Sequence, residues 1–276
     1  MYCFGWFSTG RDKAARDLLQ TACDRLKGTA DAKIEFVFCS RERGESAESD
    51  RFIDLVDRLG IPLVTYSYQE FSRNRDGCKQ GDTLPQWRLE YDRQVMQHLQ
   101  PFKPNLCLLA GYMLIVGAEM CRHYDMLNLH PAAPGGPAGT WQEVIWQIIA
   151  QKAEKMGVMM HLVTPQLDQG PVVTYCTFPI VGGRFDGYWR EIQGQSVDKV
   201  KRSQGEDNAL FRLIRQAGCI RELPLITATM QAFYRGKVMI HDGRVVDDAG
   251  QVISGYDLTA DIDRLIADKG KEQQVL

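Results

Sequence analysis

The chain has 276 residues, of which 44% are hydrophobic and 25% charged, so it is long enough for one large globular domain or two small ones. Its formal net charge of −2 and its pI near 6.2 argue against a global attraction to nucleic acid or to an anionic membrane surface. We therefore expect neither nucleic acid nor a membrane among its partners.

The first two thirds of the chain alternate short apolar segments with amphipathic ones. Five segments that are apolar and bounded by turn residues predict strands: 2–7, 34–39, 62–66, 106–110 and 126–129. Between them, apolar side chains recur at helical spacing, as at Tyr91, Val95 and Leu99. This alternation predicts an α/β fold, with a doubly wound, Rossmann-like, mostly parallel sheet covered by helices on both faces.

The remaining third has a less regular pattern. Residues 157–164 and 171–180 predict two more strands, joined by the turn PQLDQG. The segment 181–206 is rich in glycine and charge and has weak periodicity, which predicts an insertion or a lid.

The C-terminal part is predicted to begin with a helix over 210–233, interrupted near Gly218 and Pro224. Residues 236–276 follow as a hairpin with an Asp-Gly turn and a tail. We expect the whole chain, 1–276, to form a single domain with this C-terminal extension.

Two further patterns concern compartment and metal binding. The first residues have no basic segment ahead of their apolar stretch, and the apolar run 106–118 is too short for a membrane helix, so a cytoplasmic location is expected. The 8 cysteines, Cys78 among them, are scattered without a CxxC pair. This favours reduced thiols and no metal site.

The carboxyl ends of the predicted strands indicate where a ligand would bind. Ligands of open parallel sheets bind beyond these ends, so the residues that follow the strands are expected to converge on one crevice. They are Ser8, Thr9, Gly10 and Arg11, then Ser40 and Arg41, then Gly111, Tyr112 and Met113, and finally Asn128, Leu129 and His130.

Asn128 and His130 are two residues apart at a strand end and therefore point the same way. A carboxamide donates hydrogen bonds to a developing oxyanion, and an imidazole polarises a carbonyl or carries a proton near neutral pH. Asp168, in the PQLDQG turn, is the best candidate for a carboxylate that orients the imidazole. Taken alone, Asn128 and His130 could simply cap backbone groups, and Asp168 could be an ordinary turn residue.

These motifs resemble those of the folate-dependent formyltransferases, and among them the glycinamide ribonucleotide formyltransferases. That family carries N-[IL]-H-P at a strand end and, some way along the chain, L-D-x-G-P-[VI]. Here they stand as NLHP at 128–131 and LDQGPV at 167–172. The resemblance extends to LLAGYMLIV at 108–116, GVMMHLVT at 157–164 and PLITATMQAFYRGKVMI at 224–240, and leaves out 181–206.

The resemblance implies transfer of a formyl group from 10-formyltetrahydrofolate, as co-substrate, to an amine, without a metal. Asn128 would hydrogen-bond the formyl oxygen as it becomes an oxyanion. His130 would stabilise the same charge and move protons to the leaving folate nitrogen. Asp168 would hold the imidazole and take the proton of the attacking amine.

The resemblance also implies which residues bind the two substrates. The folate would lie against Gly111, Tyr112, Met113, Leu114, Ile115, Thr164, Pro165, Gln166 and Leu167, mostly through backbone groups. The family's S-G-N-G-S-N phosphate loop is replaced here by STGRDK at 8–13, where a helix N-terminus, hydroxyls and cations still suit an anion. The acceptor would therefore lie against Ser8, Thr9, Gly10, Arg11, Lys13, Ser40 and Arg41.

Three functions are compatible with these residues. The first is a formyltransferase acting on glycinamide ribonucleotide, in purine biosynthesis, or on another phosphorylated or sugar amine. The second is a hydrolase of 10-formyltetrahydrofolate, with water as the acceptor. The third is a non-catalytic folate- or nucleotide-binding relative, against which the presence of Asn128, His130 and Asp168 together argues. The oligomeric state is left open.

Overall fold

A computed structural model describes residues 1–73 and 84–272, with side chains up to residue 268. Cys78 and the last residues of the predicted tail, 273–276, lie outside the described residues. The chain divides into two compact units. Unit 1 consists of Met1–Asn128 and Leu162–Gly170, and unit 2 of Leu129–His161 and Pro171–Leu276. The expected single domain over 1–276 stays a prediction.

Unit 1 contains the alternating strands and helices expected from the sequence. Its strands are β1 (Tyr2–Ser8), β2 (Ala32–Cys39), β3 (Leu63–Thr65), β4 (Leu106–Leu109) and β5 (Met126–His130), the last of which ends in unit 2. Its helices are α1 (Lys13–Leu26), α2 (Ala47–Leu59), α3 (Tyr68–Ser72), α4 (Gln86–Leu99) and α5 (Ala118–His123). The strands are parallel in the order β5-β4-β1-β2-β3. The predicted α/β fold with a mostly parallel sheet is confirmed.

Both faces of this parallel sheet are buried. One face presents Phe7, Phe36 and Phe38, which pack in one core with the apolar stripe of α4. Phe4 and Trp6, which alternate with Phe7 along β1, are buried on the other face. Because both faces are covered, a ligand can reach the sheet at the ends of its strands, where the polar residues lie.

Unit 2 contains the remaining strands and helices. The strands are β6 (Lys155–Leu162), β7 (Val172–Pro179), β8 (Val238–His241), β9 (Arg244–Asp247) and β10 (Tyr256–Asp257). The helices are α6 (Trp141–Ala150), α7 (Phe185–Glu191), α8 (Val197–Gln204), α9 (Ala209–Tyr234) and α10 (Thr259–Glu272). β7 pairs antiparallel with β6 and parallel with β10. β8 and β9 form the predicted hairpin, whose Asp242 and Gly243 both have positive φ.

The predicted interruption of the long helix is wrong, because α9 runs through Gly218 and Pro224 without a break. Both residues are buried, and the hydroxyl of Thr227 donates to the carbonyl of Pro224 at 3.0 Å. Burial of apolar side chains along most of the helix outweighs the low helix propensity of these two residues.

The predicted insertion, 181–206, folds into α7 and α8. Phe185 of α7 and Val200 of α8 are buried in the same core cluster as apolar residues of α6 and α9. The segment therefore has an apolar face packed within unit 2, and its role as a lid stays a prediction.

Candidate active site

Thr9 connects three strand ends of unit 1. Its hydroxyl oxygen accepts hydrogen bonds from the Met113 N–H at 3.0 Å and from the Ser40 hydroxyl at 3.1 Å. Its own N–H donates to the carbonyl of Gly111 at 3.0 Å. The ends of β1, β2 and β4 therefore converge as the sequence predicts, and Thr9 and Ser40 are buried at this junction.

The loop after β1 is shaped by its own side chains. Gly10 has φ of 61°, and a Cβ there would lie 3.0 Å from that of Phe52, so both the conformation and the space favour glycine. The Ser8 hydroxyl accepts from the Gly10 N–H at 3.1 Å. The Asp12 carboxylate caps α1 by accepting from the Ala15 N–H at 3.0 Å. These polar groups stabilise the loop itself.

The cations predicted to bind the acceptor have different surroundings. Arg11 and Lys13 are exposed, with carboxylate neighbours at 3.6 Å (Asp12) and 2.5 Å (Asp17). Arg41 donates to the hydroxyl of Ser46, the N-cap of α2, at 2.9 Å. Among the predicted acceptor residues, Arg11 and Lys13 are therefore the side chains with the most freedom to reach a bound anion.

The loop that follows β4 turns two apolar side chains outward. Met113 is 54% exposed and Ile115 46%, whereas Tyr112 is buried and packs edge-on against Phe7 with ring centroids 5.7 Å apart. Burial raises the pKa of Tyr112 above its ordinary value, so its hydroxyl stays neutral. Buried aromatic packing thus supports the loop, while exposed apolar groups are available to a ligand.

Two buried charged residues of α4 form hydrogen bonds with the backbone of this loop. Arg88 and Asp92 form a buried ion pair of 2.5 Å. Arg88 donates to the carbonyl of Ile115 at 2.6 Å, and Asp92 accepts from the N–H of Gly117 at 2.7 Å. Sequence reasoning missed both, because an Arg and an Asp at i and i+4 on an amphipathic helix are typical of an exposed ion pair.

The turn that contains Asp168 also lies in unit 1. The segment that leads into the turn is bonded to β5, because the Val163 N–H donates to the carbonyl of Met126 at 2.8 Å. Asp168 has a left-handed φ of 54°, uncommon for a residue with a side chain. Gly170 ends the turn, and a Cβ there would lie 1.6 Å from the carbonyl oxygen of Leu162. A close backbone approach therefore fixes this turn.

The remaining predicted folate residues of the turn are near solvent. Pro165, Gln166 and Leu167 are exposed, Leu167 by 58%, and the Thr164 hydroxyl donates to the carbonyl of Gln166 at 3.0 Å. Like the loop after β4, the turn presents an apolar side chain outward from hydrogen-bonded backbone.

Asn128 and His130 occupy β5 as expected. Asn128 lies opposite Leu109 in the parallel pairing with β4, and it is partly exposed. His130 is buried in unit 2, with Nε2 3.0 Å from the carbonyl oxygen of Pro137. Because a carbonyl only accepts, this contact is a hydrogen bond when Nε2 carries a proton. The loop rich in proline and glycine thus orients the imidazole.

A second histidine packs against His130. The buried ring of His161 lies edge-on to it, with ring centroids 6.1 Å apart. The joint action of Asn128, His130 and Asp168 stays a prediction.

Over 1–73 and 84–272, no helix is long and apolar enough to cross a membrane. No group of three or more His, Cys, Asp or Glu side chains within these ranges is placed to hold a metal ion.

Comparison with known proteins relates the chain to one family. The model of the formyl transferase family matches residues 15–184, which include both NLHP and LDQGPV but not the loop 8–13. The phosphoribosylglycinamide formyltransferase of Escherichia coli is 27% identical over 129 residues, 46% of this chain and 55% of that protein. The formyltetrahydrofolate deformylase of Haemophilus influenzae is 23% identical over 126 residues, 45% of this chain and 39% of that protein.

The chain therefore spans about half the length of the curated relatives that it matches. A solved structure, the phosphoribosylglycinamide formyltransferase of Coxiella burnetii, is similar in fold with a TM-score of 0.61 at 18% identity. That match covers 93% of this chain and 98% of the other. The resemblance inferred from the two motifs is confirmed, and the chain belongs to the formyl transferase family.

Proposed function

We propose that the chain transfers a formyl group from 10-formyltetrahydrofolate to an amine. The observation that carries this proposal is the presence of Asn128 and His130 on β5, together with Asp168, inside the region that matches the family. We further propose that the acceptor is glycinamide ribonucleotide, or a related phosphorylated or sugar amine, and that the enzyme serves purine biosynthesis in the cytoplasm.

In the proposed reaction, the amine nitrogen attacks the formyl carbon to form a tetrahedral intermediate. Asn128 donates to the developing oxyanion, and His130 stabilises the same charge. Asp168 accepts the proton that the amine loses, and His130 supplies a proton to N10 of the folate. The bond from carbon to N10 then breaks, so that a formamide and tetrahydrofolate are released.

The folate is proposed to bind along the loop after β4 and the turn before Gly170. Met113, Ile115 and Leu167 are exposed apolar side chains that suit the flat pterin ring, and the neighbouring backbone groups supply hydrogen bonds. The hydrogen bonds of Thr9 and Arg88 fix the backbone of the loop before the folate arrives.

The acceptor is proposed to bind at the N-terminus of α1. Arg11 and Lys13 are exposed there, and the helix N-terminus favours an anion such as a phosphate. Because Asp12 and Asp17 lie beside these cations, the expected affinity for a phosphate is moderate.

Hydrolysis of 10-formyltetrahydrofolate is the second candidate. It is supported by the similarity to formyltetrahydrofolate deformylase. Water would then replace the amine, and the same three residues would act on it.

The deciding experiment follows the release of tetrahydrofolate from 10-formyltetrahydrofolate by absorbance, with and without glycinamide ribonucleotide. Turnover that requires the ribonucleotide supports the proposed transfer, and turnover without any amine supports the hydrolase. If the folate binds and neither condition gives turnover, a panel of amino sugars and their phosphates tests the remaining acceptors. The variant His130→Ala controls for contaminating activity.

A further inference from the structure

Arg88 and Asp92 are among the most buried charged residues of the molecule. Their side chains are 3% and 2% exposed, and they lie one turn apart on α4 with 2.5 Å between Arg88 Nη1 and Asp92 Oδ1. Removing two charges from water is costly, and such a pair is often no more stabilising than apolar residues of the same size. Stability alone therefore does not explain its presence.

The second polar atom of each side chain contacts the same loop. Arg88 Nη2 donates to the carbonyl of Ile115 at 2.6 Å, and Asp92 Oδ2 accepts from the N–H of Gly117 at 2.7 Å. The ion pair thus connects α4 to two backbone groups that are two residues apart. Because the guanidinium is planar and forked, it binds the carboxylate and the carbonyl with one rigid geometry.

Gly117 is adapted to this contact. A Cβ at position 117 would lie 2.8 Å from Asp92 Oδ2 and 2.7 Å from Leu89 Cδ2, so a larger residue would displace the Asp92 carboxylate that accepts from this N–H. Gly117 is also the N-cap of α5 and has no side chain with which to cap it. Asp92 accepts from the N–H of this N-cap residue, a donor that has no partner within α5.

The other end of the loop is held independently. The Thr9 hydroxyl accepts from the N–H of Met113, so hydrogen bonds reach the backbone at 113, 115 and 117. Aromatic rings fix the guanidinium in turn, since Arg88 lies 5.1 Å from the ring centroid of Tyr91 and 5.7 Å from that of Tyr68. Buried side chains therefore bind the backbone of residues 113–117, while the side chains of Met113 and Ile115 are exposed.

We propose that Arg88 and Asp92 are positioning residues for the folate co-substrate, which hold the backbone of residues 113–117 in the conformation that receives the pterin. This inference rests on the proposed function, because it assigns the pterin to this loop. The pair does not touch the reacting atoms, so it acts on folate affinity and leaves the chemistry to other residues.

The test uses the whole chain with the pair replaced by apolar residues of similar size, Arg88→Met with Asp92→Leu. The matched control is Arg93→Met with Glu119→Gln, which removes an exposed ion pair of 2.8 Å between α4 and α5. Amide hydrogen exchange of residues 111–117 reports on the loop without any ligand. Calorimetric titration with 5-formyltetrahydrofolate, and the KM and kcat for 10-formyltetrahydrofolate, report on binding and turnover.

The proposal predicts faster exchange over 111–117 in the Arg88/Asp92 variant, and a loss of folate affinity of about 10- to 100-fold with a smaller change in kcat. The control variant should change neither the exchange over 111–117 nor the folate affinity. Asp92→Asn, which keeps an acceptor for the Gly117 N–H, should recover part of the affinity and serves as the second variant if the double one does not fold.

Unchanged exchange, or faster exchange with unchanged folate affinity, overturns the positioning role, because the pair would then be purely structural. If the unmodified protein binds no folate, the proposed function fails and the assignment of the pair to a folate fails with it. Exchange over 111–117 would in that case still show whether the pair stabilises the loop. Failure of the proposed function is thereby distinguished from failure of the positioning role.

Discussion

The hydroxyl oxygen of Thr9 accepts a hydrogen bond of 3.0 Å from the backbone N–H of Met113, 104 residues further along the chain. The same oxygen accepts from the Ser40 hydroxyl at 3.1 Å. One buried side chain thereby sets the relative positions of three strand ends in unit 1.

Replacing Thr9 with Val keeps the shape of the side chain but removes the acceptor for Met113. We expect Thr9→Val to raise the KM for 10-formyltetrahydrofolate and to lower the free energy of unfolding by about 1–3 kcal/mol, since the Met113 N–H and the buried Ser40 hydroxyl both lose their acceptor. Thr9→Ser, which keeps the hydroxyl, is the matched variant. Equal folate KM values for the two variants would show that this hydrogen bond does not matter for binding.

The three proposed catalytic residues should each be essential for turnover. Asn128→Ala, His130→Ala and Asp168→Ala are expected to lower kcat by about two to four orders of magnitude, because each removes a group that stabilises charge or moves a proton in the transition state. Circular dichroism and thermal melting check the fold. His241→Ala, on an exposed hairpin, is the control. Near-normal kcat in Asp168→Ala would remove that residue from the mechanism.

Gly170 should tolerate no side chain. The Cβ of Gly170→Ala would lie 1.6 Å from the carbonyl oxygen of Leu162, so the turn that carries Asp168 must move. We expect a loss of about 1–3 kcal/mol or more in the free energy of unfolding by urea, together with a lower kcat. Gly187→Ala, within α7 and with no atom near the added methyl group, should instead stabilise the chain by up to about 1 kcal/mol.

Arg11 is an exposed cation in the loop that precedes α1. If its guanidinium contacts a phosphate at the N-terminus of α1, Arg11→Ala should raise the KM of the acceptor by roughly five- to ten-fold and leave folate binding unchanged. Steady-state kinetics with each substrate varied in turn provide the measurement. Arg25→Ala, in the last turn of the same helix, is the control. An acceptor KM equal to that of the unmodified enzyme would argue against a phosphate site there.

Stability should fall at alkaline pH because of a buried thiol. Burial raises the pKa of Cys39 from 9.0 to about 11, so the folded chain keeps this proton where the unfolded chain has lost it. The free energy of unfolding therefore falls as the pH rises from 9.0 towards about 11, by up to roughly 1.4 kcal/mol for each pH unit. Urea unfolding at about pH 8 and about pH 10 measures the slope.

The variant Cys39→Ala lacks this titration. Its stability should fall less steeply over the same range, whatever its stability at neutral pH. An identical slope in the two proteins would mean that other groups cause the alkaline loss.

The local pattern of the chain determined the class of the fold and the position of the motifs. Apolar spacing distinguishes strand from helix because the two structures repeat every two and every 3.6 residues. Asn128 and His130 could be placed side by side because they are neighbours on one strand, and the family could be recognised from NLHP and LDQGPV because such motifs are short and contiguous. The same local reasoning predicted a break at Pro224, where α9 is continuous.

Contacts between distant residues were decided only by the tertiary structure. Thr9 is an ordinary polar residue in the sequence, and Arg88 and Asp92 form an ordinary pattern of charges on a helix. Their roles depend on burial and on partners that lie far away in the sequence, the backbone groups of Met113, Ile115 and Gly117. Periodicity reports which face of an element is apolar, whereas the desolvation of a charge and the partner that compensates it depend on how the elements pack.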